Sequence, residues 1–226
     1  MTHFVYLLLD LLTLSFPLAY SFTARSGFSR KLPRVLTAIA LVAAPMLAWD
    51  AWFSASGVWG FNPRYVLGPR LFGLPFEELL FFLCIPFSCL FIYDTLTKFP
   101  RLALPEKPVR IAAGLLGLAL FVLSVLNASR AYTTLCFMVA APLLFAIAGG
   151  HLGRRAGHLA TAWLIQLVPF LLVNGVLTAL PVVWYNNAEN LGLRLGSIPV
   201  EDFAYSMILL FGGVFVLETK AWKDPP

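Results

Sequence analysis

Charge is the scarcest commodity in this chain: 12% of its 226 residues are Asp, Glu, Lys or Arg, while 60% are hydrophobic. With a mean hydropathy of +0.83 it lies outside the range of soluble domains and reads as a polytopic membrane protein. Cysteine is nearly absent too. Cys84, Cys89 and Cys136 sit inside apolar runs without metal spacing, which excludes a disulfide framework and leaves three small buried thiols. Lysine is missing from the body of every apolar run, so a retinal Schiff base has no candidate. No G-x-G-x-x-G motif follows a strand, which excludes a built-in flavin or nicotinamide domain. Paired aspartate-rich motifs that chelate magnesium diphosphate are missing as well. His3, His151 and His158 have no metal-site spacing, and no metal or other cofactor is expected.

What is present is a series of apolar runs at roughly 3–22, 34–53, 76–96, 109–127, 131–149, 159–180 and 201–219, each long enough for a hydrocarbon core of about 30 Å. The first has only His3 before it and no basic n-region, so it is expected to be a retained helix. The net charge of +5 sits in short connectors rather than in a basic stripe, which argues against a nucleic-acid partner. Alternate connectors carry Arg25, Arg30, Lys31 and Arg34; Lys98, Arg101, Lys107 and Arg110; Arg154 and Arg155; and Lys220 and Lys223. The opposite side has Arg64, Arg70, Arg130 and Arg194. The bias predicts an N-terminus outside and a cytoplasmic C-terminus in a multi-pass protein of the cell membrane.

The stretch Pro75-Phe76-Glu77-Glu78 opens the third run, and Pro199-Val200-Glu201-Asp202 opens the seventh, 124 positions later. The same offset carries Pro45 onto Pro169, Asp50 onto Asn174, Asn62 onto Asn186 and Arg70 onto Arg194 without a gap. Charges and prolines recurring in step indicate a duplicated unit. The expected fold is an all-α membrane protein of seven helices: a three-helix repeat over 1–102, a linker helix within 103–127 and a second repeat over 128–226. A single crossing between the units makes them parallel. Both acidic motifs then start helices on one, non-cytoplasmic side. Pro75 and Pro199 suit a first helical turn, and the loops 54–74 and 182–198 suit lids over the helix ends.

Carboxylates inside a membrane are costly and mark function by default, although a single one at a helix start can be a cap or an anchor. Two adjacent acids, repeated in register, favour a working set: Glu77, Glu78, Glu201 and Asp202. Close carboxylates resist double ionisation and can share one proton, which suits a donor and an acceptor. Asp50 either supplies a third carboxyl or pairs with Arg64 or Arg70; Asn174 and Asn186 are supporting amides. Asp10, deep in the first run, either bonds a neighbouring helix or lines a cavity. Asp94 and Glu218 read as cytoplasmic-end partners of Lys98 or Lys220. The aromatics Trp49, Trp52, Trp59, Phe81, Phe82, Trp184, Tyr185 and Tyr205 gather near the acids, where their π faces suit a cationic intermediate.

With these motifs in place, the chain resembles the lycopene cyclase domain family over nearly its whole length, in the form that fuses both three-helix domains. The resemblance implies cyclisation of a linear carotenoid end group to a β-ring by protonation, ring closure and proton loss, with lycopene as the substrate. Glu77, Glu78, Glu201 and Asp202 are then the acid/base set. A cyclase forming ε or γ rings, or acting on C50 carotenoids, would use the same acids. A proton-coupled transporter is the alternative of another class, although its acids should spread through the membrane depth. Membrane lipid and a second copy of the chain are compatible partners.

Overall fold

The computed structural model describes residues 2–152 and 155–219. Arg154, Lys220 and Lys223, three of the connector charges, lie outside the described residues. Among the described residues, seven α-helices follow one another: α1 Val5–Ser21, α2 Leu32–Ala55, α3 Phe76–Thr97, α4 Glu106–Leu126, α5 Ala131–Ala148, α6 Ala156–Ala179 and α7 Val200–Glu218. All seven are long and apolar enough to cross a membrane, α1 together with the 3-10 turn before it. Their bounds follow the apolar runs to within a few residues at most ends.

The two helices that open with acid pairs form the centre. In α3 and α7, 61% and 56% of the apolar window is buried, against 22% for α1 and α4 and 17% for α6. The remaining helices therefore face outward and screen the polar residues of α3 and α7. α1 packs on α3 and α5 on α7, while α2 crosses to α7 and α6 to α3. α4 lies against α5 and α6.

Among the described residues, six short strands organise the connections: β1 Trp59–Phe61, β2 Arg70–Leu71, β3 Leu74–Pro75, β4 Val183–Tyr185, β5 Arg194–Leu195 and β6 Ile198–Pro199. The two long loops are thus tied together, with β1 antiparallel to β4 and Gly60 opposite Trp184, residues one repeat offset apart. A Cβ on Gly60 would sit 2.5 Å from the Trp184 ring, so only glycine lets the strands close here. β2–β3 and β5–β6 are matching hairpins, each stapled by its arginine: Arg70 donates to the Gly73 carbonyl at 2.9 Å and Arg194 to the Ser197 carbonyl at 2.8 Å. Pro75 and Pro199 are not in the first helical turn. Each is the extended residue just before it, ending a hairpin strand and leaving helix to begin at Phe76 and Val200.

The other ends of these helices are clamped by ion pairs that also obey the offset. Lys31 meets Asp94 at 2.5 Å, and Arg155 meets Glu218. Lys98 also lies 3.4 Å from Asp94, and Tyr93 donates to Glu218 at 3.2 Å.

Candidate active site

Successive residues of a helix point about 100° apart, so the two acids of each motif face different surroundings. Glu77 turns back to the loop and accepts the Leu67 N–H at 2.6 Å; Glu201 accepts the Leu191 N–H at 2.7 Å. Glu201 also receives the Thr133 hydroxyl at 2.6 Å. Both side chains are fully buried and anchor a lid loop to the start of its helix. Neither lines the central groove. The shared proton expected within each adjacent pair therefore has no geometric basis.

Glu78 and Asp202, one residue on, do face the groove, together with Asp50 and Asn174 from the ends of α2 and α6. Tyr6 donates to Glu78 at 2.5 Å. Asp50 accepts the Trp59 indole N–H at 2.5 Å and lines the groove with Glu78, its Oδ2 having no hydrogen-bond partner among the described residues. It does not pair with Arg64 or Arg70, since Arg70 is held by its hairpin and Arg64 lies over the Tyr65 ring. Two carboxyl groups can hydrogen-bond only when one keeps its proton. Asp202 has different company: the Tyr132 hydroxyl at 2.5 Å, the Asn174 amide at 2.7 Å and the Tyr185 hydroxyl at 3.0 Å all donate to it. Three neutral donors suit a carboxylate. Burial and the Asp202 charge push the Tyr185 hydroxyl, on the lid ribbon, well above the usual tyrosine range, which keeps it a donor.

Aromatic rings fill the space between the two centres. Trp59 meets Tyr132 edge-on at 5.0 Å, Tyr132 stacks on Tyr185 at 5.9 Å, and Tyr205 lies 6.4 Å from Trp59. Phe81, Tyr185 and Tyr205 line the groove as the sequence suggested. Trp49 is buried behind Tyr205, and Phe82 is buried beside Phe81; neither reaches the groove. Trp52 is 59% exposed on the outer surface, and Asn186 accepts the Ala188 N–H within the lid turn. Asp10 is buried with neither oxygen partnered among the described residues and does not line the groove.

Tyr6, Tyr132 and Trp59 complete the site, and two of them escaped the repeat comparison. Tyr6 is 72 residues from its acid and Tyr132 is 70 from its own, so a gapless offset cannot pair them. A search for buried tyrosines in the first turn of an apolar helix would have found both.

The groove has an empty volume of about 1010 Å³, its open mouth included. It runs from the acids down one stripe of α3 and one of α6. The corresponding cleft between α2 and α7 is filled: a Cβ on Gly212 would lie 3.3 Å from Val42. Among the described residues, no group of three or more His, Cys, Asp or Glu is placed to hold a metal ion.

A model of the family described as lycopene cyclase matches residues 3–96 and 129–219, most of the chain in two segments that each contain one acid motif. The chain belongs to this family. Its cyclase relatives include proteins named bifunctional lycopene cyclase/phytoene synthase. The one from Neurospora crassa is 40% identical over 63 residues, 28% of this chain and 10% of the relative. The one from Podospora anserina is 38% identical over 73 residues, 30% and 12% of the two chains, and that from Phaeosphaeria nodorum is 25% identical over 126 residues, 49% and 22%. The chain thus spans about a tenth to a fifth of the length of these relatives. No solved structure matches it.

Proposed function

We propose that the chain is a membrane-integral lycopene β-cyclase, in which the Asp50–Glu78 pair donates the initiating proton and Asp202 takes up the final one. The observation that carries this reading is the unequal company of the two groove-facing acids. Glu78 has one hydroxyl donor and a second carboxyl beside it, while Asp202 has three donors. Such contrast between two carboxyls is how acid and base roles are divided at one pH.

The proton from the Glu78 pair goes to C2 of the terminal C1=C2 bond and leaves the cation at C1. The C5=C6 bond then closes C1–C6, moving the charge to C5, and loss of the C6 proton to Asp202 forms the ring double bond. No atom is gained or lost. Trp59, Tyr132, Tyr185 and Tyr205 offer π faces to the cation, each worth about 0.5–2 kcal/mol, and the lid ribbon delays its capture by water. Glu77 and Glu201 act through the lids and are positioning residues. A linear polyene fits the apolar groove and reaches it laterally from lipid.

The organisation that goes with this reading is two parallel repeats, 1–102 and 128–226, with α4 in the linker 103–127. The β1–β4 pairing about Gly60 and Trp184, the matching hairpins and the paired ion clamps support it. The basic connectors support a cytoplasmic C-terminus in the cell membrane. Acids gathered at one end of the bundle favour an enzyme over a proton-coupled transporter.

Expression in a lycopene-accumulating bacterial host, followed by chromatography and mass spectrometry, tests the proposal. A cyclic product of unchanged mass with β-rings is expected. Persisting lycopene in membranes that contain the protein would refute the substrate, and ε or γ rings would refute the site of proton loss.

A further inference from the structure

Each lid loop ends in a hairpin that leads straight into a helix long enough to cross a membrane, and the first hairpin carries a residue that does not suit its backbone. Phe72 and Gly73 make the two-residue turn between β2 and β3, with φ of 54° and 82°. This is the mirror-image turn of tight hairpins, for which asparagine and glycine are the usual residues. Among the described residues, Phe72 is the only one other than glycine with a positive φ. One repeat later its place is taken by Gly196, at a φ of 63°. A bulky side chain in the left-handed region is unfavourable, and the second hairpin is built without one.

No packing within the protein offsets that strain. Phe72 is 81% exposed, the highest value for a large hydrophobic residue among the described residues, and its neighbours Leu67, Leu71 and Phe76 are exposed as well. The first lid, residues 54–74, also holds the exposed Arg64 and Arg70 and contains no Asp or Glu. An apolar tip is thus set beside unopposed positive charge. The helix that follows has 22 residues, about 33 Å by helical rise, close to a hydrocarbon core of about 30 Å. Phe76, its first residue, therefore lies at the edge of that core. The turn just before it falls at the height of the lipid headgroups.

We propose that the β2–β3 hairpin is a bilayer-surface anchor, in which Phe72 and Leu71 insert among lipid chains while Arg64 and Arg70 stand at the height of the phosphates and attract anionic lipid. The first lid is then held at two points: inside by the Leu67 N–H on Glu77 at 2.6 Å, and outside by lipid. The second lid has the inner point in Glu201 but only Gly196 at its tip. This surface does not depend on the cyclase reading.

A nitroxide on Leu71→Cys tests it, in protein reconstituted into phosphatidylcholine–phosphatidylglycerol vesicles. Cys84, Cys89 and Cys136 are buried and do not compete for the reagent. Collisions with oxygen, which dissolves in lipid, are compared with collisions with a water-soluble nickel chelate. The nitroxide should meet oxygen in preference to nickel. Adding Phe72→Asn, which tolerates the left-handed turn, should lower the ratio of inserted to water-facing hairpin about tenfold, the scale of losing one buried aromatic side chain. Should the cysteine variant fold poorly, Phe72→Trp gives the same reading through added fluorescence that brominated lipid quenches. A nitroxide equally open to nickel with Phe or Asn at 72 overturns the proposal. Spin–spin broadening that disappears on dilution with unlabelled protein also overturns it, by seating a second copy on the hairpin. Loss of folded protein in Phe72→Asn does so too, because Phe72 would then serve the fold.

Discussion

Asn174 donates its amide to Asp202 at 2.7 Å in the place where the first half of the chain offers Glu78 the carboxyl of Asp50. Acid against amide at the ends of α2 and α6, together with the Tyr185 hydroxyl where the first half has Phe61, gives the two acids different company. Asp50→Asn makes the first centre resemble the second and, in the proposed mechanism, removes the carboxyl that shares a proton with Glu78. Cyclisation is expected to fall at least about 100-fold, the usual scale for losing a general acid, with unchanged membrane expression. Initial rates on lycopene in membranes check it.

Asp202 depends on neutral donors. Tyr132→Phe and Tyr185→Phe each delete one hydrogen bond to a charged group, worth about 1.5–3 kcal/mol, and should slow turnover by roughly 10- to 100-fold. Since neither tyrosine carries the initiating proton, KM for lycopene should change less than kcat.

Much of this was legible before the structure. Seven apolar runs follow directly from bilayer thickness, and Glu77-Glu78 and Glu201-Asp202 stand out because they recur in register. The division of labour within each pair was hidden. Adjacency in sequence suggests a shared task, whereas helical rotation sends Glu77 and Glu201 into the lids and Glu78 and Asp202 into the groove. The ribbon of β1 and β4 was hidden for another reason. Each strand has three residues, and its partner lies in a distant loop, so no local pattern announces the pairing. Composition cannot tell the inside of a helix end from the outside, so exposed Trp52 and groove-lining Tyr205 look alike in the sequence.

Gly60 tests the ribbon. A methyl group there collides with the Trp184 ring, and Gly60→Ala should cost about 1–3 kcal/mol, the range of an overpacked site. Thermal unfolding in detergent should show a lowered Tm. Trp184→Ala in the same chain should recover part of the loss by opening the space.

Exchange with solvent tests the direction of proton flow. In the proposed mechanism the proton given to C2 comes from an exchangeable carboxyl, so product formed in heavy water should gain one deuterium for each ring closed. Asp202→Asn, which blocks proton removal, should not raise that count in whatever product remains. Mass spectrometry of the isolated carotenoid reads both.

In the proposed mechanism the second acid of each motif performs the chemistry while the first holds a lid. Pigment analysis of Glu78→Gln, Asp202→Asn, Glu77→Gln and Glu201→Gln at matched membrane expression tests it most directly. Gln at 77 or 201 keeps an oxygen for the Leu67 or Leu191 N–H, so those variants should still accumulate cyclic carotenoid. Glu78→Gln and Asp202→Asn should leave lycopene. Equal loss in all four variants, or cyclic product from Glu78→Gln, would contradict the account.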